Sequence, residues 1–319
     1  MHAINQTIVT EFLLLGFQNL QSFKILILFF FLILYLVTVC GNLLIIWLVV
    51  SNNSLQSPMY IFLTHLSISD LLLTTVIVPN TLYIIYNEGG TMSFSGCLAQ
   101  FSFYAFSEVS ECFVLSIMAY DRYMAICKPL RYSTLMNPVV CIKMILISWI
   151  LIFSMIVTDM LSIIQLHFCG PNIINHFFCD LVPLMELSCS DTYYLEVNIY
   201  IWSIFVIIFP FIIITGSYVY IIQAVLRIST TSGRWKTFST CSSHLTVVCI
   251  FFGTVIGSYM VPAKGKSLTV SKCISLFYTV VTPMINPIIY SLRNRDIKEA
   301  IKKFCKISEH FHMLHNRSH

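Results

Sequence analysis

Seven long apolar runs constrain this chain more than any other feature of its sequence. A helix needs about 20 apolar residues, at about 1.5 Å each, to cross a bilayer, and every run is that long. Hydrophobic residues make up 57% of the chain and charged residues 10%, which excludes a soluble globular domain. The sequence therefore predicts an all-α membrane protein, a seven-transmembrane helix bundle. The predicted spans are about 24–50, 59–86, 98–127, 140–165, 195–226, 238–262 and 271–292.

The segments outside the runs complete the predicted domain organisation. Residues 1–23 form an N-terminal segment, 24–292 the bundle, and 293–319 a tail. The stretch Asp296–Lys306 is basic and amphipathic, which favours a short helix lying on the inner membrane surface. No internal repeat pairs the two halves of the chain, as one often does in a transporter.

Lysine and arginine residues near the ends of the runs predict the orientation, because they concentrate on the cytoplasmic side. With the N-terminus outside, most of them fall inside the cell, and the opposite orientation would invert this bias. Asn5 then begins an extracellular glycosylation sequon, Asn5-Gln6-Thr7. The outer side receives only Lys24, Lys264, Lys266 and Lys272.

The third run carries ionisable residues within its apolar length. A charge in a membrane helix costs about 2.5–3.5 kcal/mol on insertion scales, so such residues usually face a protein interior and serve a function. The interruptions include Glu108, Glu111 and Arg122. These fall on one helical face, which we predict to point into the bundle. That face comprises Tyr104, Glu108, Glu111, Leu115, Met118 and Arg122.

Four cysteines lie on the predicted outer side, in an oxidising compartment. They are Cys97, Cys169, Cys179 and Cys189. Four such cysteines suggest two disulfide bonds with three possible pairings, and their spacing does not choose among them.

Several blocks of sequence resemble one receptor family. Residues Met118–Cys127 read MAYDRYMAIC, which resembles the MAYDRYVAIC signature of olfactory receptors, a group of rhodopsin-like (class A) G-protein-coupled receptors. Ile228–Leu245 resembles the family's KAFSTCxSHL block, with Thr237 where alanine is usual, and Pro283–Asn294 resembles PMxNPxIYSLRN. The resemblance extends from Val9 to Lys303.

The outer loop, from His176-Phe177-Phe178-Cys179-Asp180 to Leu187-Ser188-Cys189, also resembles that of the family. This resemblance implies the disulfides Cys97–Cys179 and Cys169–Cys189. A copper role has been proposed for the family's HxxC motif, here His176 and Cys179, and His167 is close in sequence. Because a disulfide would remove the thiolate, we predict no metal site.

The resemblance implies a polar network at Asp70, Glu111 and Asn286. Two carboxylates in a low dielectric would share a proton or recruit a cation. A sodium ion near Asp70 and Glu111, a shared proton and a plain hydrogen-bond network all remain open; we predict no other cofactor.

The function implied is that of an odorant receptor. Its partners would be a small volatile odorant, the lipid bilayer and a heterotrimeric G protein of the stimulatory olfactory type, which raises cyclic AMP. Its place would be the plasma membrane, in the cilia of olfactory neurons. Arg122 would pair with Asp121 in the inactive state and engage Tyr218 or the G protein in the active state. The implied coupling and switch residues are Asp121, Arg122, Tyr123, Tyr218, His244 and Tyr290.

The family also implies a ligand pocket between the outer halves of the third, fifth and sixth helices and the outer loop. Glu108 departs from the family, which usually has a small residue there. Its carboxyl either is protonated and hydrogen-bonded, for example to Tyr104 or Ser107, or receives a ligand's positive charge. The implied ligand-binding residues are Tyr104, Ala105, Glu108, Val109, Cys112, Trp202, Val206, Val255, Ile256, Tyr259 and Thr279.

Other classes of function fit less well. The sequence has no catalytic constellation, so an enzyme is not expected, and its basic residues are sorted by loop, which gives no sign of a nucleic-acid partner. A transporter would fit the hydropathy but not the odd number of spans. A class A receptor for a small amine or other metabolite would fit the fold, although amine receptors usually have aspartate where Tyr104 stands.

Overall fold

A computed structural model describes residues 9–259, 268–294 and 296–304 of the chain, and it is a bundle of seven helices. Six of them are long and apolar enough to cross a membrane, while the sixth in order has a shorter apolar stretch, His244–Ser258. The predicted all-α membrane bundle is therefore confirmed. The first six helices are Lys24–Ser51, Pro58–Asn87, Phe94–Cys127, Pro138–Ile164, Tyr193–Leu226 and Thr231–Tyr259. The seventh runs through Leu268–Leu276, Phe277–Val281 and Thr282–Arg293.

The third helix is the central element of the bundle. In its most apolar stretch 83% of the residues are buried, against 17% in the first helix, whose outer face carries large apolar side chains. It packs against the second, fourth, fifth and sixth helices. Its polar face points inward as the spacing predicts, since Glu108 and Glu111 are both buried and Arg122 is half-buried.

Local sequence explains where several helices begin. Ser93 precedes the third helix and its hydroxyl accepts a hydrogen bond from the Gly96 amide at 3.1 Å. Asn137 does the same for the fourth helix, accepting from the Val140 amide at 3.0 Å. Both side chains satisfy amides that have no partner within the helix. Pro58 begins the second helix, where its missing N–H costs nothing.

The fifth helix widens just before its proline. Ile204–Ile208 forms a π-helical turn and Pro210 follows at once. A proline cannot donate the usual backbone hydrogen bond, and a wider turn accommodates that loss. The widened turn includes Val206 and Ile207, both of which line the cavity described below.

A small sheet next to the N-terminal end of the third helix was not predicted from the sequence. The strand β1 (Glu11–Leu14) pairs antiparallel with β2 (Gly90–Ser93) and parallel with β3 (Ile173–Ile174). It thereby joins the N-terminal segment to the loop before the third helix and to the loop after the fourth helix. Lys272 of the seventh helix donates to the carbonyl of Gly16 and to Asn175 Oδ1, the latter at 2.7 Å.

The predicted short helix after the last span is present at residues 296–304. Ile297 and Ala300 are buried in it, while Lys302 and Lys303 are exposed, so the helix is amphipathic. The Phe304 ring packs on Trp47 of the first helix with ring centroids 4.6 Å apart. The rest of the predicted tail, from Cys305 onward, lies outside the described residues.

Candidate functional site

Both implied disulfides are present, and one of them fixes the outer loop to the third helix. Cys97 is bonded to Cys179, with Cα atoms 5.4 Å apart, and Cys169 to Cys189, with Cα atoms 5.7 Å apart. Gln100, one turn beyond Cys97, accepts a hydrogen bond from the Cys179 amide at 2.9 Å. The segment after Cys179 is thus held against the third helix.

Beneath this segment the bundle contains a cavity of about 90 Å³. Its wall is built by the third, fourth, fifth and sixth helices and by Leu181 and Val182 of the outer loop. Most of the residues predicted to bind a ligand line this cavity. They are Tyr104, Ala105, Glu108, Val109, Cys112, Trp202, Val206 and Val255.

Three other residues predicted to bind a ligand are not among those that line the cavity. Thr279 is fully buried and its hydroxyl donates to the Ser275 carbonyl at 2.7 Å, so it is occupied within its own helix. Ile256 is half-buried and packs against the apolar core. The side chain of Tyr259 lies outside the described residues.

An acidic residue that the sequence analysis overlooked also lines the cavity. Asp159 of the fourth helix is buried, and its Oδ1 accepts a hydrogen bond from Asn198 Nδ2 at 2.5 Å. The neighbouring Thr158 hydroxyl accepts from the Trp202 indole at 3.0 Å, which positions that ring. A lone acid within the apolar run 140–165 was the available signal, because intramembrane carboxylates usually face an interior.

Glu108 lines the same cavity, and its buried carboxyl is only partly hydrogen-bonded. Its side chain is 5% exposed. Tyr104 hydrogen-bonds the carboxyl, as one interpretation of the sequence proposed. Ser107 instead donates to the Phe103 carbonyl at 2.8 Å. Within the part of the chain that the structure describes, Glu108 Oε1 has no hydrogen-bond partner.

Deeper in the bundle, Asp70, Glu111 and Asn286 form one polar cluster. Asn286 Nδ2 lies 3.1 Å from both Asp70 oxygens and 2.9 Å from Glu111 Oε1. Two buried oxygens, Glu111 Oε2 and Asn286 Oδ1, have no partner among the described residues. A sodium ion takes oxygen ligands, so these three side chains fit the ion that the resemblance implies.

At the C-terminal end of the third helix, the Asp121 carboxylate is bound by Tyr132 rather than by Arg122. The Tyr132 hydroxyl donates to Asp121 Oδ1 at 2.9 Å. Burial and the charge of Asp121 raise the pKa of Tyr132, so this hydroxyl remains a donor. Between these described side chains no ion pair joins Asp121 to Arg122. Adjacent residues on a helix do not face each other, which accounts for this arrangement.

The other predicted switch residues lie on the third, fifth, sixth and seventh helices. Tyr218 and His244 Nδ1 lie 2.7 Å apart, and the Tyr218 hydroxyl also donates to the Cys241 carbonyl at 3.2 Å. The charge of Arg122 acts on both Tyr218 and His244. Tyr290 is buried, and its hydroxyl has no partner among the described residues. Tyr123 packs its ring on Tyr220, with centroids 5.7 Å apart.

His176 of the outer loop is an apolar packing residue in this structure. Its ring stacks on Phe177 and meets the edge of Phe178, each with centroids 4.7 Å apart. Burial, with the positive charge of Lys272, lowers the pKa of His176 to about 3, so the ring is neutral at physiological pH. Its neighbour in the HxxC motif, Cys179, is held in a disulfide, and no cluster suited to a metal ion occurs among the residues described.

Comparison with known proteins gives a consistent match along the chain. A family model described as olfactory receptor matches residues 31–307. Olfactory receptor 11L1 of Homo sapiens is 49% identical over 95% of this chain and 94% of its own length. Olfactory receptor 1E16 of Mus musculus is 45% identical, and olfactory receptor 1468 of Rattus norvegicus 44% identical, each over 95% of this chain and 96% of its own length.

Proposed function

The chain belongs to the olfactory receptor family, and from this premise we propose that it binds small volatile odorants in the cavity beneath Cys179 and activates a stimulatory olfactory-type G protein. Its relatives are receptors and not enzymes, and the apolar helices make the chain a multi-pass membrane protein. The observation that supports the proposal is the cavity between the third, fourth, fifth and sixth helices beneath the outer loop. Its wall is mostly apolar with a few polar groups, which suits small volatile molecules.

Activation is a shift between two populations of the bundle. An odorant that binds the active state better than the inactive one biases the equilibrium by that difference in affinity. The third helix carries the effect, because it supplies both the cavity residue Glu108 and, one turn deeper, the network residue Glu111. Its cytoplasmic end presents Arg122.

The network at Asp70, Glu111 and Asn286 links the cavity to the seventh helix. Asp70 and Glu111, with the free oxygen of Asn286, would hold a sodium ion in the inactive state; a proton shared between the two carboxyls would serve the same purpose. Either one would neutralise like charges that otherwise repel. Loss of it would allow the three helices that meet here to separate.

The cytoplasmic response is an outward movement of the sixth helix. An apolar groove of about 320 Å³ already lies between the fifth and sixth helices, with Tyr218, Ile221, Val225 and Leu245 in its wall. Breaking the contact between Tyr218 and His244 would free Tyr218 to engage Arg122. The groove, once wider, would accept part of the G protein.

A cyclic AMP assay tests this function. Cells that express the chain should raise cyclic AMP in response to some members of a panel of small volatile compounds, and cells that lack it should not. Enlarging Ala105 at the cavity wall, with Ala105→Phe, should abolish the response to those compounds. An undiminished response in this variant would place the ligand elsewhere.

The N-terminus is proposed to be extracellular and the protein to reside in the plasma membrane, in cilia of olfactory neurons. Asn5 lies outside the described residues, but its sequon reports the orientation. We expect one N-linked glycan, removed by an endoglycosidase and absent from Asn5→Gln. Asn316→Gln is the matched control, because Asn316-Arg317-Ser318 is a sequon in the tail, on the proposed cytoplasmic side. A glycan that persists in Asn5→Gln would reverse the proposed orientation.

A further inference from the structure

We infer that the cavity selects a small protonated amine and that Glu108 is its counter-ion; this inference rests on the proposed odorant-binding function. Glu108 lines the cavity from the third helix, in a side chain that is 5% exposed, and its Oε1 atom is buried. Among the described residues it accepts no hydrogen bond. Buried polar atoms of proteins are almost always hydrogen-bonded, so a ligand that brings an N–H donor supplies what this oxygen lacks.

The charge of the cavity wall selects the sign of the ligand. A second carboxylate, Asp159, lines the wall from the fourth helix. The ionisable groups whose charge acts on Glu108 are also acids, Asp180 and Glu111. The described lining includes no lysine, arginine or histidine. An anionic ligand would meet only like charge here, whereas a cation is attracted by every ionised group of the wall.

The second carboxylate does not compete for the same role. Asp159 Oδ1 is engaged by Asn198 at 2.5 Å, whereas Glu108 Oε1 is free within the described structure. Glu108 is therefore the group that contacts the ligand nitrogen directly. Asp159 contributes negative potential from the facing wall, and its replacement should weaken the binding of a cation less than replacement of Glu108.

Protons balance for either form of the amine. If the volatile free base enters, its nitrogen takes the proton of the Glu108 carboxyl, so that one O–H bond breaks and one N–H bond forms. If the ammonium ion enters against a carboxylate, the resulting pair is the same. A charge-assisted hydrogen bond to a buried carboxylate such as Glu108 is stronger than a neutral one, which offsets the cost of removing both charges from water.

The size of the cavity limits the hydrocarbon part of the ligand. A cavity of about 150 Å³ is known to hold benzene, and this one is about 90 Å³. The apolar side chains of Val109, Val206, Ile207 and Val255 line it. The structure therefore fits a short alkylamine of a few carbon atoms.

Binding of n-butylamine and n-butanol to the purified full chain in lipid nanodiscs tests the inference without involving a G protein. The two probes have nearly the same shape and differ in charge. We expect wild type to bind n-butylamine more tightly than n-butanol. Glu108→Gln should raise the Kd for n-butylamine about 10-fold or more and that for n-butanol about 2-fold or less, as for loss of one partner of a buried charged pair. Asp159→Asn should raise the Kd for n-butylamine about 3-fold.

Glu186→Gln is the matched control, because it removes the same charge from an exposed position in the outer loop. It should change neither Kd. Equal losses for both probes in Glu108→Gln would leave Glu108 a shaping residue and overturn the inference. Tighter binding of n-butanol than n-butylamine by wild type would also overturn it, and this comparison holds even if Glu108→Gln does not fold.

The same measurements separate this inference from the proposed function. Binding of n-butylamine in nanodiscs with no cyclic AMP response in cells would support the amine site and contradict coupling to a stimulatory G protein. A cyclic AMP response to neutral odorants with no binding of n-butylamine would support coupling to a stimulatory G protein and contradict the amine site.

Discussion

Replacing Cys97 with serine is expected to abolish expression of the receptor at the cell surface. The disulfide Cys97–Cys179 closes a span of 82 residues, from the third helix to the outer loop. Losing a native disulfide commonly costs about 2–5 kcal/mol, a large part of the stability of an ordinary domain. We expect the same loss from Cys179→Ser.

The expected effect is large because the bond holds the loop segment after Cys179, which forms part of the cavity wall. Next to it, Gln100 accepts from the Cys179 amide and donates to the Val76 carbonyl at 3.1 Å, which connects loop, third helix and second helix. Phe178 packs on Tyr104 with ring centroids 5.0 Å apart. Without the disulfide these contacts would have to hold the loop alone, and the cavity would open to solvent.

Surface staining of intact cells, compared with total protein, measures the effect. Cys112→Ser is the matched control, because this cysteine is buried on the same helix but forms no disulfide. It should reach the surface at close to the wild-type level. Normal surface expression of Cys97→Ser would contradict the structural role assigned to the bond, and a Cys97–Cys169 link in non-reduced peptides would contradict the pairing.

The fold could be predicted from the sequence wherever the signal was local. Apolar length predicted each membrane helix. The charged residues of the third run predicted that one face of this helix points into the bundle, since Glu108 and Glu111 can be buried only there. The sheet of β1, β2 and β3 could not be predicted. Its strands are two to four residues long and come from three distant segments, so no periodic pattern marks them.

Most of the predicted ligand-binding residues line the cavity, and the lining acid that was not predicted lies on the fourth helix. Tyr104, Glu108 and Cys112 share a face of the third helix, so their spacing alone brings them together. Asp159 was missed because its place depends on how the fourth helix is rotated against the third. Thr279 was expected at the pocket, but its hydroxyl is bound within the seventh helix, which adopts a π-helical turn there. Packing between helices decides such cases, and a single sequence does not encode it in any local pattern.

Replacing Arg122 with alanine is expected to abolish the cyclic AMP response while leaving ligand binding intact. Arg122 is about 20 Å from Glu108, since fourteen residues separate them at about 1.5 Å each. The substitution therefore cannot reach the cavity directly. It removes a positive charge that acts on Tyr218 and His244, the pair that joins the fifth and sixth helices at 2.7 Å. If the switch needs this charge, the bundle would remain in its inactive state and give no cyclic AMP response.

In the structure Arg122 makes no ion pair with the described Asp121, whose carboxylate is taken by Tyr132. The guanidinium is thus available for a new partner when the sixth helix moves, and the alanine variant should fold because no buried ion pair is broken. Lys143→Ala, which removes an exposed charge from the fourth helix, is the control and should signal normally. Binding of n-butylamine in nanodiscs should be unchanged in both variants. A full cyclic AMP response in Arg122→Ala would refute the switch role, whereas a parallel loss of binding would show that the substitution had damaged the fold rather than the switch.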